Sequence, residues 1–223
     1  MTVSTSRVLS RMFSDVSVAI DAEKDRLTAL DGAIGDADHG ITMSLGFSAV
    51  TNELAGMDLD RVAASAVLAS AAAAFLNAVG ASTGPLYASA FLRAAKVMET
   101  DESLSIANQV AIIEAMTAGI QARGKGQRGD KTMLDCWIPA TEAAIKAQSG
   151  GADVSAVWAD IIDAATAGAN ATRSMVAARG RAARLGERSL GHVDPGAASA
   201  VIILRAMMKS FVGDQAPARQ GLF

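Results

Sequence analysis

The residues best suited to chemistry are three aspartates in Leu30-Asp31-Gly32-Ala33-Ile34-Gly35-Asp36-Ala37-Asp38-His39-Gly40. Asp36 and Asp38 flank one residue, so in extended backbone they point to the same side. Carboxylates about 5 Å apart repel by roughly 3 kcal/mol per pair at an effective dielectric near 20. A hard cation, Mg²⁺ or Ca²⁺, removes that penalty, and Mg²⁺ held by a few carboxylates usually takes phosphate oxygens and water as well. A simpler reading makes Asp38 the cap of the next helix and leaves Asp31 and Asp36 solvated. It accounts well for one aspartate of the three. His39 is open to two readings, as a ligand or base and as a packed imidazole beside Gly40, and it would be a soft ligand among carboxylates.

Three further Gly-rich joints are richer than a helical turn requires. Val79-Gly80-Ala81-Ser82-Thr83-Gly84-Pro85 precedes a helix, where small residues and free N–H groups suit an anion. It lacks the GK[ST] of a P-loop, and a tight Ser/Thr-capped turn is the competing account. Arg123-Gly124-Lys125-Gly126-Gln127-Arg128-Gly129-Asp130-Lys131-Thr132-Met133 is basic and able to close over a nucleotide, or is a solvated loop capped by Asp130. The stretch from Arg179 to Gly196 carries Arg179, Arg181, Arg184 and Arg188, forked donors suited to phosphate, with Leu185 and Leu190 giving it something to bury.

Eight helical segments must position these joints. Apolar residues recur at three-, four- and seven-residue steps, and nowhere does period-2 alternation persist. The first segment runs from about Ser6 to Leu30, and the second follows Gly40. Asp58 is a plausible cap for the third, which reaches Val79; Pro85 sits in the first turn of the fourth. Ser103 caps the fifth, which ends near Arg123-Gly124. The sixth spans Asp130 to Gln148 with Pro139 as a kink, the seventh starts near Asp153 and continues to about Ala178, and Asp194-Pro195 opens the eighth. Short connections favour antiparallel neighbours, hence an all-α, single-domain, up-and-down barrel or bundle over residues 1–213 with a frayed tail at 214–223. In such an arrangement the joints after segments one, three, five and seven share one end. Those are the four unusual joints, and together they bring acids, a phosphate turn and basic loops to one rim.

Composition narrows the function. Half of the 223 residues are apolar (51%), aromatics are 4%, and alanine makes up about a fifth, which favours closely packed helices. A net charge of −3 argues against a general nucleic-acid binder. The single Cys136 excludes an internal disulfide framework and suits a reducing compartment. No charge lies between Arg61 and Arg93, but that run is mostly Ala and Ser, broken by Asn77, Gly80, Gly84 and Pro85, and reads as buried helix rather than membrane span. Arg7 and Arg11 interrupt the N-terminal apolar residues, so no signal-peptide core is present and the reading is cytoplasmic.

With these residues assembled, the chain resembles the dihydroxyacetone kinase L-subunit (DhaL-type) family from about Ser6 to Lys209. The likeness rests on Leu30-Asp31, Ile34-Gly35-Asp36-Ala37-Asp38-His39-Gly40, Gly129-Asp130-Lys131-Thr132-Met133, Leu185-Gly186-Glu187-Arg188-Ser189, Gly191-His192 and Asp194-Pro195-Gly196. The resemblance implies an eight-helix antiparallel α-barrel whose rim binds ADP or ATP through two Mg²⁺ ions. It implies Asp31, Asp36 and Asp38 as metal ligands, with His39, Gly40, Ile41 and Thr42 along the phosphates and Ser82 and Thr83 touching them. Gly124, Met133, Arg181, Asp194, Pro195 and Gly196 would surround the nucleotide. The family often has Asn in place of Thr42 and Gly-Gly-Ala-Ser-Gly in place of Gly80–Gly84. It further implies phosphoryl transfer to dihydroxyacetone held on a separate K subunit, with bound ADP recharged by a phosphotransferase-system M subunit in one branch and free ATP exchange in the other. Two alternatives stand beside it: a kinase subunit for a related ketose such as erythrulose, and a non-catalytic helical module binding Ca²⁺.

Overall fold

The computed structural model describes residues 3–80 and 82–215. Nine α-helices appear among them: α1 (Thr5–Ala22), α2 (Lys24–Ile34), α3 (His39–Ala55), α4 (Ala64–Ala78), α5 (Thr83–Val97), α6 (Ile106–Gly124), α7 (Leu134–Ser149), α8 (Val154–Ala171) and α9 (Pro195–Gln215). Two 3₁₀ turns, Thr172–Ser174 and Ala182–Ser189, lie between α8 and α9, and the described residues contain no strand. Neighbours in sequence are neighbours in space along α3–α4–α5–α6–α7–α8–α9, and α1 closes the ring by packing on both α3 and α9.

The expected first segment is two helices. Glu23 leaves helical geometry (φ −105°, ψ 6°), so the chain turns after α1, whose Val8, Leu9, Met12, Phe13, Val16 and Ile20 face the core. Only Leu27 and Ile34 of α2 are buried, and this short helix lies against α3 and α9. The seven-residue spacing continued across the break because both helices bury one face.

Three expected caps shift, for one reason: a cap is decided by where the chain can turn. Asp58 accepts from the Asp60 N–H through Oδ1 in a turn, and α4 begins only at Ala64. Ser105, rather than Ser103, caps α6 by accepting from the Asn108 N–H at 3.2 Å. Asp130 does not cap α7; Asp135 Oδ1 and Oδ2 instead accept from the Gly129 and Thr132 N–H groups. Asp194 caps α9 as expected, and Asp153, near which the seventh segment is expected to start, caps α8. Pro139 stays inside α7 without ending it, and α8 stops at Ala171, short of the expected Ala178. The expected frayed tail falls largely outside the described residues, since α9 extends to Gln215.

The few aromatics are concentrated in the ring interior. Phe13, Phe47, Phe75, Tyr87 and Phe91 pack edge-on or tilted, with Phe13 and Phe91 centroids 5.2 Å apart, and all five are at most 2% exposed. Such pairs stabilise by about 0.5–1.5 kcal/mol beyond area burial. Buried alanines such as Ala71, Ala72, Ala90 and Ala94 leave room for these rings while the helices stay close. Pro195–Gly213 is long and apolar enough to cross a bilayer, yet 72% of it is buried within the protein, so its apolar face is already used.

Candidate functional site

Because the ring alternates direction, α3, α5, α7 and α9 all begin at the same end. The four Gly-rich joints meet there around a cavity of about 420 Å³. Each helix start carries a partial positive charge of roughly half an electron. Three of the four are answered by carboxylates: Asp31 for α3, Asp135 for α7 and Asp194 for α9. No side chain caps α5, whose start is bordered by Ser82 and Thr83 on the cavity wall. An uncapped helix start beside hydroxyls is the part of the rim best prepared for phosphate.

The acid cluster forms, but through a left-handed turn at Ala37 rather than the extended backbone expected between Asp36 and Asp38. Ligand oxygens of Asp31, Asp36 and Asp38 lie within 4.8 Å of one another. Asp38 occupies the N-cap position of α3, but its side chain makes no cap hydrogen bond. Asp31 performs that task from the last turns of α2, its Oδ2 accepting from the Asp38 N–H at 2.9 Å and the His39 N–H at 3.2 Å. The capping account of Asp38 is therefore incorrect: the preceding helix already supplies the cap. Burial, and then the charge of Asp31, raise the Asp38 pKa above the ordinary carboxylate range. Two local features hold the cluster together. Ala37 adopts a left-handed φ of 61°, which turns Asp36 and Asp38 inward, and a Cβ at Gly35 would fall 2.1 Å from Asp31 Oδ1.

Arg181 supplies the positive charge that this cluster demands. Its guanidinium pairs with Asp36 and lies 3.8 Å from Asp38. Clustered carboxylates, a glycine that admits one of them and a cation drawn onto the other two fit a hard divalent ion.

His39 is 8% exposed, and its Nε2 lies 2.9 Å from Ser199 Oγ. Ser199 donates to the Gly196 carbonyl, so it accepts from Nε2–H, and burial lowers the imidazole pKa despite Asp31 nearby. A neutral, tethered ring fits the packed reading of His39 at the cavity wall better than a proton carrier.

Of the expected site residues, Asp31, Asp36, Asp38, His39, Thr42, Ser82, Thr83, Gly124, Met133, Arg181, Asp194, Pro195 and Gly196 all line the cavity. Gly40 and Ile41 do not. A Cβ on Gly40 would meet the Lys24 carbonyl at 2.0 Å, so this glycine serves the α2–α3 contact, and Ile41 is 50% exposed outside the cavity. Arg123, Lys131 and Thr132 of the third joint and Arg179 of the fourth also line it, beyond the residues that the resemblance places at the nucleotide. The signal was the basic, Gly-rich composition of the third and fourth joints, which in one dimension reads equally as solvated loop. Asp194 lies in the cavity floor, where burial raises its carboxyl to about 7 against the opposing effects of the Ala197 N–H and Lys131.

The fold and rim together define a class: a closed all-α ring with a carboxylate- and arginine-lined cavity at one end. Residues 33–209 match the DAK2 domain. The chain is 33% identical over 208 residues to the ADP-binding subunit DhaL of PEP-dependent dihydroxyacetone kinase 2 from Listeria innocua, covering 93% of this chain and 96% of that one. It is 36% identical over 186 residues to the corresponding Escherichia coli subunit, covering 83% and 87%. L-erythrulose 1-kinase of Mycolicibacterium smegmatis is 36% identical over 87% of this chain, which spans 33% of that longer relative. Among solved structures, the dihydroxyacetone kinase of C. freundii superposes with a TM-score of 0.70 at 24% identity over 92% of this chain and 34% of that one, a likeness of fold. The chain belongs to the DAK2 domain family.

Proposed function

We propose that this chain is the ADP-binding subunit of a dihydroxyacetone kinase, passing a phosphoryl group from a magnesium-bound nucleotide to acceptor held on a separate K subunit. The observation that carries the proposal is the convergence of Asp31, Asp36 and Asp38 with the uncapped start of α5 on one cavity. The names of the relatives support the substrate and the nucleotide, since those matched over most of their length are ADP-binding subunits of this kinase. Asp31, Asp36 and Asp38 would hold Mg²⁺, which we take as two ions; bound there, it neutralises phosphate charge. Ser82, Thr83 and the first N–H groups of α5 hold the polyphosphate, and Thr42 and Gly196 border it. Arg181 exchanges carboxylates for phosphate oxygens, where its forked donors add to charge neutralisation. Phosphoryl transfer depends chiefly on position and charge, so a rim without a strong base suffices.

The donor we favour is a phosphotransferase-system M subunit recharging bound ADP, because relatives from Listeria innocua and Escherichia coli are named PEP-dependent and one from Lactococcus lactis PTS-dependent. Likeness to L-erythrulose 1-kinase supports a second acceptor, a four-carbon ketose. Titration calorimetry with Mg-ADP tests the binding step. Binding absent with Mg-ADP but present with Ca²⁺ alone would leave the non-catalytic module as the better account. Turnover with the cognate K subunit, with dihydroxyacetone against erythrulose and with M subunit plus PEP against free ATP, then decides acceptor and donor.

A further inference from the structure

Nucleotide binding leaves Lys131 without a role. This side chain is 1% exposed, and its backbone is held left-handed at φ 60°. A buried ammonium is tolerated only when it is richly partnered, and a non-glycine residue stays left-handed only where its surroundings over-determine it. The ammonium's partners come from the fourth joint, while Asp135 holds the backbone turn by accepting from the Gly129 and Thr132 N–H groups on either side of it. Lys131 Nζ donates to the Thr172 carbonyl at 2.6 Å and also to the His192 carbonyl. Thr172 follows α8 and His192 lies just before α9, so one side chain from the third joint ties together both ends of the arginine-bearing segment.

Asp130, 8% exposed, does the same for the outgoing limb. Its Oδ2 accepts from Arg179 Nε at 2.6 Å, and its carbonyl accepts from the Ala178 N–H at 3.1 Å. Arg179 and Ala178 lead directly to Arg181, the residue that reaches the acid cluster. The far limb is held as well: the Asp194 N–H donates to Thr172 Oγ1 at 2.9 Å, beside the carbonyl that Lys131 grips.

We propose that Asp130 and Lys131 are positioning residues that latch the segment 172–193 onto the third joint. The latch aims Arg181, Asp194 and Gly196 at the cavity and thereby sets nucleotide affinity through the segment. Lys131 borders the cavity, yet two of its three protons are committed to backbone carbonyls. The proposal deepens the nucleotide-binding reading and rests on it.

The test uses the full chain with Lys131→Met, Asp130→Asn and Lys131→Arg. Limited trypsin digestion without nucleotide should cut after Arg179, Arg181, Arg184 or Arg188 about tenfold faster in Lys131→Met and Asp130→Asn, because cleavage follows the open population. The Kd for Mg-ADP should rise about tenfold in the same two variants, and Lys131→Arg, which keeps the donors, should restore both readouts towards wild type. Unchanged cleavage overturns the latch. So does weaker Mg-ADP binding without faster cleavage, which would mean direct contact with phosphate. Should Lys131→Met be cut throughout the chain, Asp130→Asn decides the matter. A wild type that fails to bind Mg-ADP defeats the nucleotide reading, while the digestion still decides whether the segment is latched.

Discussion

Replacing Asp38 by alanine separates two accounts of the acid cluster by the sign of one measurement. If Asp38 were a helix cap, its loss would destabilise the chain by about 1 kcal/mol. The structure assigns the cap to Asp31 and leaves Asp38 with a partly desolvated charge within 4.8 Å of two others. At that separation a pair repels by about 3.5 kcal/mol at a dielectric of 20 and about 0.9 kcal/mol in water. The Asp38 side chain is 52% exposed, which places the relief near the lower figure, and Arg181 at 3.8 Å takes back part of it. Without ligand and in chelator, Asp38→Ala should therefore be more stable than wild type by roughly 0.5–1 kcal/mol, read by urea denaturation followed by circular dichroism. The same variant should bind Mg-ADP about a hundredfold more weakly, since truncating one member of a charged contact costs about 2–3 kcal/mol. A variant that loses about 1 kcal/mol without ligand and binds Mg-ADP like wild type would refute the cation-site argument.

Three other perturbations probe neighbouring links. Gly35→Ala adds a methyl 2.1 Å from Asp31 Oδ1, pushing that carboxylate off the Asp38 and His39 N–H groups; it should cost about 2 kcal/mol in urea and weaken Mg-ADP, and wild-type stability would count against it. Asp194 titrates near 7 instead of the ordinary 3.8, so the fold favours its protonated form. Its stabilising contribution is full below about pH 4 and fades as pH rises through about 7, by at most about 4 kcal/mol. Asp194→Asn should flatten that fall in ligand-free urea midpoints, and a profile parallel to wild type would exclude Asp194 as the cause. Chelating divalent ions should abolish the rise in Tm that excess ADP gives, because only the metal-bearing complex engages the carboxylates; a rise persisting in chelator would show that Arg181 and the helix starts suffice.

Much of the site was legible because it depends on short-range spacing and on alternation. The Asp36-Ala37-Asp38 pattern places two carboxylates together by local geometry, and the parity of antiparallel helices brings alternate joints to one end whatever the packing details. Less local facts were not legible. Asp130 looked like a helix cap and Lys131 like a solvated loop residue, since a basic Gly-rich stretch has the same composition whether its lysine faces water or the Thr172 carbonyl 41 residues away. The resemblance places Gly40 along the phosphates, and only the folded chain shows the Lys24 carbonyl packed against this glycine across the α2–α3 contact. The break at Glu23 escaped notice because one buried face runs through both helices on either side of it.

The sequence by itself determined an all-α chain, the order and approximate extent of its helices, and most of the residues that meet on the cavity rim. Helical periodicity, turn residues and paired acids are properties of neighbours along the chain, and each acts within a few residues. Only the tertiary structure decided which carboxylate caps and which stays free, that α1 closes the ring on α9, and that Asp130 and Lys131 bind the arginine segment. Those outcomes depend on desolvation and on hydrogen-bond partners far apart in sequence, and the ring has to be closed before such groups can meet.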